Sequence, residues 1–269
     1  MKTKNIFKVP LFCLAAVLAL QVLVCCASSQ PPKDDDLFFF TDYSQAIPAF
    51  EGNPSPDNDM NIFLTLIDAR QARLAKFIRS ILYDGHTTKQ HAENVYAEFS
   101  KEFRDYAADA GAWIMPWVFE EIHRVTVAGN YAVISQGVYS YYGGAHGTSA
   151  TIYHVINIKT PENLTLDDII VKEYFAPLKP IVDRELRLFS ESLLNEPLPP
   201  GVPLTSGVYF ENDFEYSYFY PSGDGIHFWW NVYELAPYVV GPIDVTVSWN
   251  ELEGFLTTKG AELAKAFRK

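Results

Sequence analysis

The segment Tyr141-Tyr142-Gly143-Gly144-Ala145-His146-Gly147 presents a histidine on backbone that can approach a ligand closely, an arrangement suited to general acid or base chemistry. Glycine also tolerates positive φ, so the same residues equally suit a tight connection between two strands. The segment lacks the Gly-Lys-Ser/Thr ending of a phosphate loop, and no strand-to-helix context follows it. The other histidines, His86, His91, His123, His154 and His227, show no HExxH or comparable ligand spacing, so neither a metal site nor a cofactor is expected. His91 and Glu98 can share a helix face, where a solvated surface pair is the simpler reading. Asp167-Asp168 suits a helix N-terminus. Paired acids for glycoside hydrolysis must lie about 5–9.5 Å apart across a cleft, which chain spacing does not establish. No G-x-S-x-G elbow is present, which weighs against a serine hydrolase, and no catalytic residue is assigned.

Aromatic residues supply a second kind of chemistry. Phe214, Tyr216, Tyr218, Phe219 and Tyr220 precede the turn Pro221-Ser222-Gly223-Asp224-Gly225, and Phe228-Trp229-Trp230 with Tyr233 follow it. Strand alternation sends Phe228 and Trp230 to one face and Trp229 to the other, so one set is core and the other can stack on sugar or anchor a protein partner. Ala236-Pro237-Tyr238 and Gly241-Pro242 read as a rigid bend before the final strand.

These residues must be positioned by the elements around them. Leu37 to Phe50 reads as an opening strand. Asp57, Asn58 or Asp59 can cap a helix through about Leu82, since Ile62, Leu66, Ala69, Leu74, Phe77, Ile78 and Ile81 suit a 3.6 period. Asp84-Gly85-His86 breaks it, and a second helix runs from Thr87 or Thr88 to Ala110. From Trp117 the period becomes two: Val118 to Val127, the turn Ala128-Gly129-Asn130 and Tyr131 to Tyr142 form a hairpin. Ala150 to Lys159 is a further strand, and Thr165 with Asp167 and Asp168 opens a short helix. Phe175 to Leu194 has helical spacing, and Asn195 to Ser206 is a proline-rich connection. Val208 to Tyr220, Ile226 to Val232 and Ile243 to Trp249 read as strands, followed by a helix from about Asn250 to Leu256. Strands joined mainly by turns favour an α+β fold of antiparallel sheet packed with helices. Two closely associated portions are expected, residues 37–142 and 143–269.

The chain's beginning has the character of an export leader. Met1 to Lys8 carries Lys2, Lys4 and Lys8 and no acid, and Val9 to Val24 is almost wholly apolar. Leu23-Val24-Cys25-Cys26 approximates a bacterial lipobox, which makes residues 1–25 a lipoprotein signal peptide with Cys26 lipidated. Cleavage after Ala27 and an uncleaved anchor are the alternatives, the latter disfavoured by Gln21 inside a run that is marginal for a span. Residues 26–36, with Asp34-Asp35-Asp36, form an acidic tether. Cys13, Cys25 and Cys26 are the only cysteines, so the body holds no disulfide, thiolate metal site or cysteine nucleophile. Loss of the leader lowers the basic residues from 21 to 18 against 33 acidic ones, a balance that argues against nucleic acid and permits a cationic partner.

With Val155-Ile156-Asn157-Ile158-Lys159-Thr160, Leu164-Thr165-Leu166-Asp167-Asp168 and Trp230-Asn231-Val232-Tyr233-Glu234-Leu235-Ala236-Pro237-Tyr238-Val239-Val240-Gly241-Pro242, the glycine segment carries a resemblance. From about Phe38 to Leu252 the chain resembles the RsiV-like extracytoplasmic domain of unknown function (DUF3298/DUF4163-type), found in lysozyme sensors and beside some peptidoglycan deacetylases. The resemblance implies a periplasmic or exterior-facing address in the cell envelope, with the membrane reached through the lipid anchor. It also implies a non-enzymatic role in binding a protein, with a lysozyme-like hydrolase the most concrete candidate. A peptidoglycan-binding module and an uncharacterised hydrolase using His146 with an acid are the alternatives. The candidate binding or structural-loop residues are Gly143, Gly144, His146, Gly147, Trp229, Tyr233 and Tyr238.

Overall fold

The computed structural model describes residues 37–50, 56–110, 114–194 and 218–268, to which the structural statements below refer. The expected leader, Cys26, the acidic tether, Phe214 and Tyr216 lie outside the described residues.

A six-stranded sheet is laid down in chain order: β1 (Phe38–Ile47), β2 (Met60–Ala69), β3 (Trp117–Ala128), β4 (Tyr131–Tyr141), β5 (Thr148–Asn157) and β6 (Glu162–Leu164). Helices α1 (Ala72–Leu82) and α2 (Thr88–Ala110) cross between β2 and β3, which therefore pair parallel, whereas all other neighbours are antiparallel. The sheet is thus mixed rather than wholly antiparallel, because a strand pair joined by a helical crossover can return in the same direction.

The expected helix from residue 57 onward is corrected in its first half. Met60 to Ala69 is a strand in which Met60, Ile62, Leu64 and Leu66 are buried at a period of two. Ile62, Leu66 and Ala69 also satisfy helical spacing, so that short apolar run carries both periods at once. The helical part survives as α1, where Leu74, Ala75, Ile78 and Leu82 form one buried stripe. Each fully buried Leu or Ile there contributes about 1.5–3 kcal/mol of apolar burial.

After β6 come α3 (Leu166–Ile169) and α4 (Phe175–Leu194), then a three-stranded antiparallel sheet of β7 (Phe219–Pro221), β8 (Gly225–Trp230) and β9 (Ile243–Ser248). The expected helix at 250–256 begins one residue earlier and is shorter, as α5 (Trp249–Leu252), capped by Ser248. A separate α6 (Thr258–Phe267) is capped by Thr257, whose hydroxyl accepts the Gly260 amide at 3.0 Å. The fold is α+β. Among the described residues, no helix is long and apolar enough to cross a membrane.

Two cores lie on opposite faces of the same strands. Ala132 and Ile134 of β4 and Ile156 of β5 pack with α1 and α2. Tyr131, Val133 and Val155, pointing the other way, pack with α4, α6 and the second sheet. The larger sheet runs across residue 143, since Ser140 of β4 pairs with Thr148 of β5.

Candidate functional site

The β4–β5 loop and the β8–β9 loop meet at their aromatic residues. Gly143 and Gly144 have φ values of 85° and 96°, so the first loop needs residues without a Cβ at its tip. Tyr141 donates its hydroxyl to the Gly144 carbonyl at 3.0 Å, closing the loop on its own strand. At Gly147 the requirement is spatial, because the Tyr139 ring occupies the volume a side chain would need. The loop ends with His146, whose Nδ1 lies 2.8 Å from the Gly147 carbonyl and whose ring stacks on Tyr238 at 3.9 Å between centroids and 14° between planes.

The second loop brings Tyr233 against the same Tyr238, with ring centroids 5.7 Å apart. Tyr233 is 60% exposed and holds φ at 69°, a conformation uncommon for a bulky residue. A single 3-10 turn over Tyr238–Val240, closed by bonds from Val240 N–H to Pro237 O and Gly241 N–H to Tyr238 O, leaves Val239 90% exposed. Gly143, Gly144, His146, Gly147, Tyr233 and Tyr238 therefore build one surface. Trp229 stands at its root, half-buried, with its ring edge-on to Tyr153 at 5.6 Å.

The residue that ties the second loop to β5 is Asn231. It is buried, and its Oδ1 accepts the Thr151 amide at 2.6 Å and the Trp229 indole N–H at 3.0 Å, while its Nδ2 donates to the Thr151 carbonyl at 3.3 Å. A side-chain amide thus pairs with β5 as a strand residue would, and Glu234 accepts the Asn231 backbone N–H at 2.7 Å. Sequence reasoning missed Asn231 as a positioning residue. The available signal was an amide followed by Glu three residues later, inside an aromatic run.

His91 and His123 form a separate, internal assembly. His91 does not pair with Glu98 on its own helix; its Nε2 meets Glu121 Oε2 on β3 at 2.9 Å. Glu121 is buried and also accepts from Gln136 Nε2 at 2.9 Å and from His123 Nε2 at 2.9 Å. His123 Nδ1 accepts the Ile67 amide at 3.3 Å, which places the ring's proton on Nε2. Burial pushes the Glu121 carboxyl up, but the hydrogen bonds from His123 and then His91 outweigh it and hold the group at about 2. His154 differs: its Nε2 has no hydrogen-bond partner and no solvent contact, and burial, helped by charge at His123, pulls it down to about 4. Among the described residues, no group of three or more histidine, cysteine or acidic side chains could hold a metal ion. Asp168 is occupied at the start of α3, accepting the Thr165 backbone N–H at 2.9 Å, with Lys259 at 3.3 Å. The Thr165 bond is the main reason its carboxyl titrates below the usual range.

Residues 167–250 match the family described as "Protein of unknown function (DUF3298)", so this stretch carries a DUF3298 domain. A solved structure of a DUF3298 family member from Bacteroides fragilis is 19% identical, covering 85% of this chain and 97% of that one with a TM-score of 0.68. A DUF3298 family protein from Pseudomonas aeruginosa PAO1 is 14% identical, covering 88% of this chain and 99% of that one with a TM-score of 0.56. At these identities the likeness shows the fold. No curated protein matches the chain.

Proposed function

We infer that this chain is a cell-envelope protein that binds a protein ligand on the surface built by residues 142–147 and 231–242. The observation that carries the reading is the exposure of Tyr233 and Val239 beside the Tyr238–His146 stack. Burying such groups against a partner returns apolar and aromatic free energy that solvent does not supply, and Tyr is enriched among residues that dominate interfaces. Backbone held at positive φ under Tyr233 is a cost retained where it presents a side chain. A glycan is the weaker fit, because sugar stacking needs an open flat ring. His146 covers one face of Tyr238, Trp229 leans on Tyr153, and a protruding Val239 offers a sugar little.

A cationic lysozyme-like hydrolase is the candidate ligand, supported by the resemblance of the loop motifs and by a formal net charge of −12. Lipidation at Cys26 would hold the body at the membrane. The test is calorimetric titration of the purified chain with a c-type lysozyme and, separately, with a muropeptide mixture. Lysozyme should bind, more weakly as salt shortens the Debye length from about 30 Å at 0.01 M to about 8 Å near physiological strength. Tyr233→Ala should mainly accelerate dissociation. Binding to muropeptides alone would move the assignment to a glycan module, and binding to neither would refute it.

A further inference from the structure

On the second sheet, remote in sequence from the glycine loop, a serine, a histidine and an aspartate fall into line. His227 on β8 has Nδ1 at 3.0 Å from Asp244 Oδ1 on β9 and Nε2 at 3.0 Å from Ser222 Oγ in the β7–β8 turn. The two ring nitrogens therefore face the two partners that a nucleophilic relay needs, the acid on one and the hydroxyl on the other. The ring is fixed by stacking on Tyr220 at 4.5 Å, and the Tyr220 hydroxyl donates to the second Asp244 oxygen at 2.6 Å. The turn is held as firmly: Ser222 N–H donates to Gly225 O at 2.9 Å, the Trp249 indole donates to Ser222 O at 2.9 Å, and Trp249 N–H donates to Asp224 O at 3.1 Å.

Ser222 also borders a cleft of about 520 Å³ between the second sheet and β3, with Val127, Val133 and Phe267 among its apolar walls and Arg124 and Arg268 among its polar ones. We propose that Ser222, His227 and Asp244 form an acyl-transfer site that hydrolyses carboxylic esters whose apolar acyl group enters this cleft.

The reaction closes on the groups present. As Ser222 Oγ bonds to the ester carbonyl carbon, its proton passes to His227 Nε2. When the carbon–alkoxy bond breaks, that proton goes to the leaving alcohol. Water then repeats the cycle: its oxygen bonds to the acyl carbon, its proton passes through Nε2, and the Oγ–acyl bond breaks to return Ser222 and release a carboxylic acid. Arg124 and Arg268 are the cleft's cationic groups for the oxygen that becomes negative in the tetrahedral intermediate; Arg268 already spends one N–H on the Trp249 carbonyl. Asp244 is a positioning residue, since it acts through the imidazole. Asp224 competes for the serine proton, because it contacts both Ser222 Oγ and His227 Nε2, the latter at 3.2 Å.

The imidazole is faced by Asp244 and Thr246 from β9, Asp224 from the turn and Tyr220 from β7. Burial pulls its pKa down, yet the bond and charge of Asp244, then those of Asp224, raise it overall above the ordinary 6.5. Reactivity should therefore rise with pH through a midpoint above that value.

The full chain is treated with a fluorophosphonate, and the adduct is located by peptide mass spectrometry. Ser222 should carry the adduct, Ser222→Ala should carry none, and Asp244→Asn should label about 10⁴-fold more slowly with its pH midpoint moved down, as expected when the acid that raises and orients the imidazole is lost. Mapping the wild-type adduct needs no variant, so a misfolded Ser222→Ala would not rescue the proposal. Folded wild-type protein without an adduct, an adduct elsewhere, or labelling retained in Ser222→Ala would overturn it.

Discussion

Replacing His154 with Leu should abolish a specific part of the protein's sensitivity to acid. In the folded chain the imidazole is pulled from 6.5 to about 4, chiefly by burial, with its Nε2 unpartnered. The unfolded chain then takes up a proton near pH 6.5, whereas the folded chain does so only near pH 4. Between those values the unfolded state binds more protons, so stability falls as pH falls across that window. At about 1.36 kcal/mol per pKa unit the loss amounts to about 3 kcal/mol, a ceiling because His154 is only partly buried. Leu cannot titrate, and it removes a buried nitrogen whose hydrogen-bonding capacity is unmet. Urea melts of both proteins at half-unit steps from pH 4 to 7 would give the difference directly, since other titrating groups cancel between them. Wild-type and His154→Leu stabilities that run parallel over the whole range would refute the reasoning.

Glu121→Ala should destabilise by about 3–5 kcal/mol, because His91, His123 and Gln136 lose a buried acceptor, and chemical denaturation would register it. In the wild-type protein, with the Glu121 pKa depressed to about 2, its stabilisation is complete above pH 4.5 and is lost as pH falls toward 2, a second acid phase that Glu121→Gln should remove. Gly144→Val forces a β-branched residue into φ 96° and should lower stability by about 1–2 kcal/mol, read as a shifted urea midpoint; an unchanged midpoint would show that the loop has another accessible conformation. Cys26→Ser should abolish metabolic labelling with a fatty-acid analogue, and continued labelling would place the lipid on another residue and refute the assignment.

How far the sequence reveals this molecule depends on the range of each interaction. The β3–β4 hairpin is legible because two runs rich in β-branched and aromatic residues flank the turn Ala128-Gly129-Asn130, and α2 because a long segment with one apolar face ends near Gly111. β2 is not, since Ile62, Leu66 and Ala69 fit both periods and only pairing with β1 and β3 decides between them. The aromatic loop residues could be nominated one by one, yet their assembly depends on Asn231 reaching Thr151, eighty positions away. His227 looked like a lone histidine because its acid is on a later strand and its serine is in a turn, with no local motif for the triad it completes.

The shared strands bear on modularity. A domain boundary drawn from family likeness would cut out residues 167–250, but the interior of that stretch is closed by Tyr131, Val133 and Val155 from β4 and β5 and by Leu263 and Phe267 from α6. Those same strands wall off the other interior with their alternate side chains. Excised, the matched region would expose Phe228 and Val245 where its neighbours had been, so the unit that heredity marks is smaller than the unit that can fold. A viable fragment must carry the party wall with it, and a shorter one should be recovered only as aggregate.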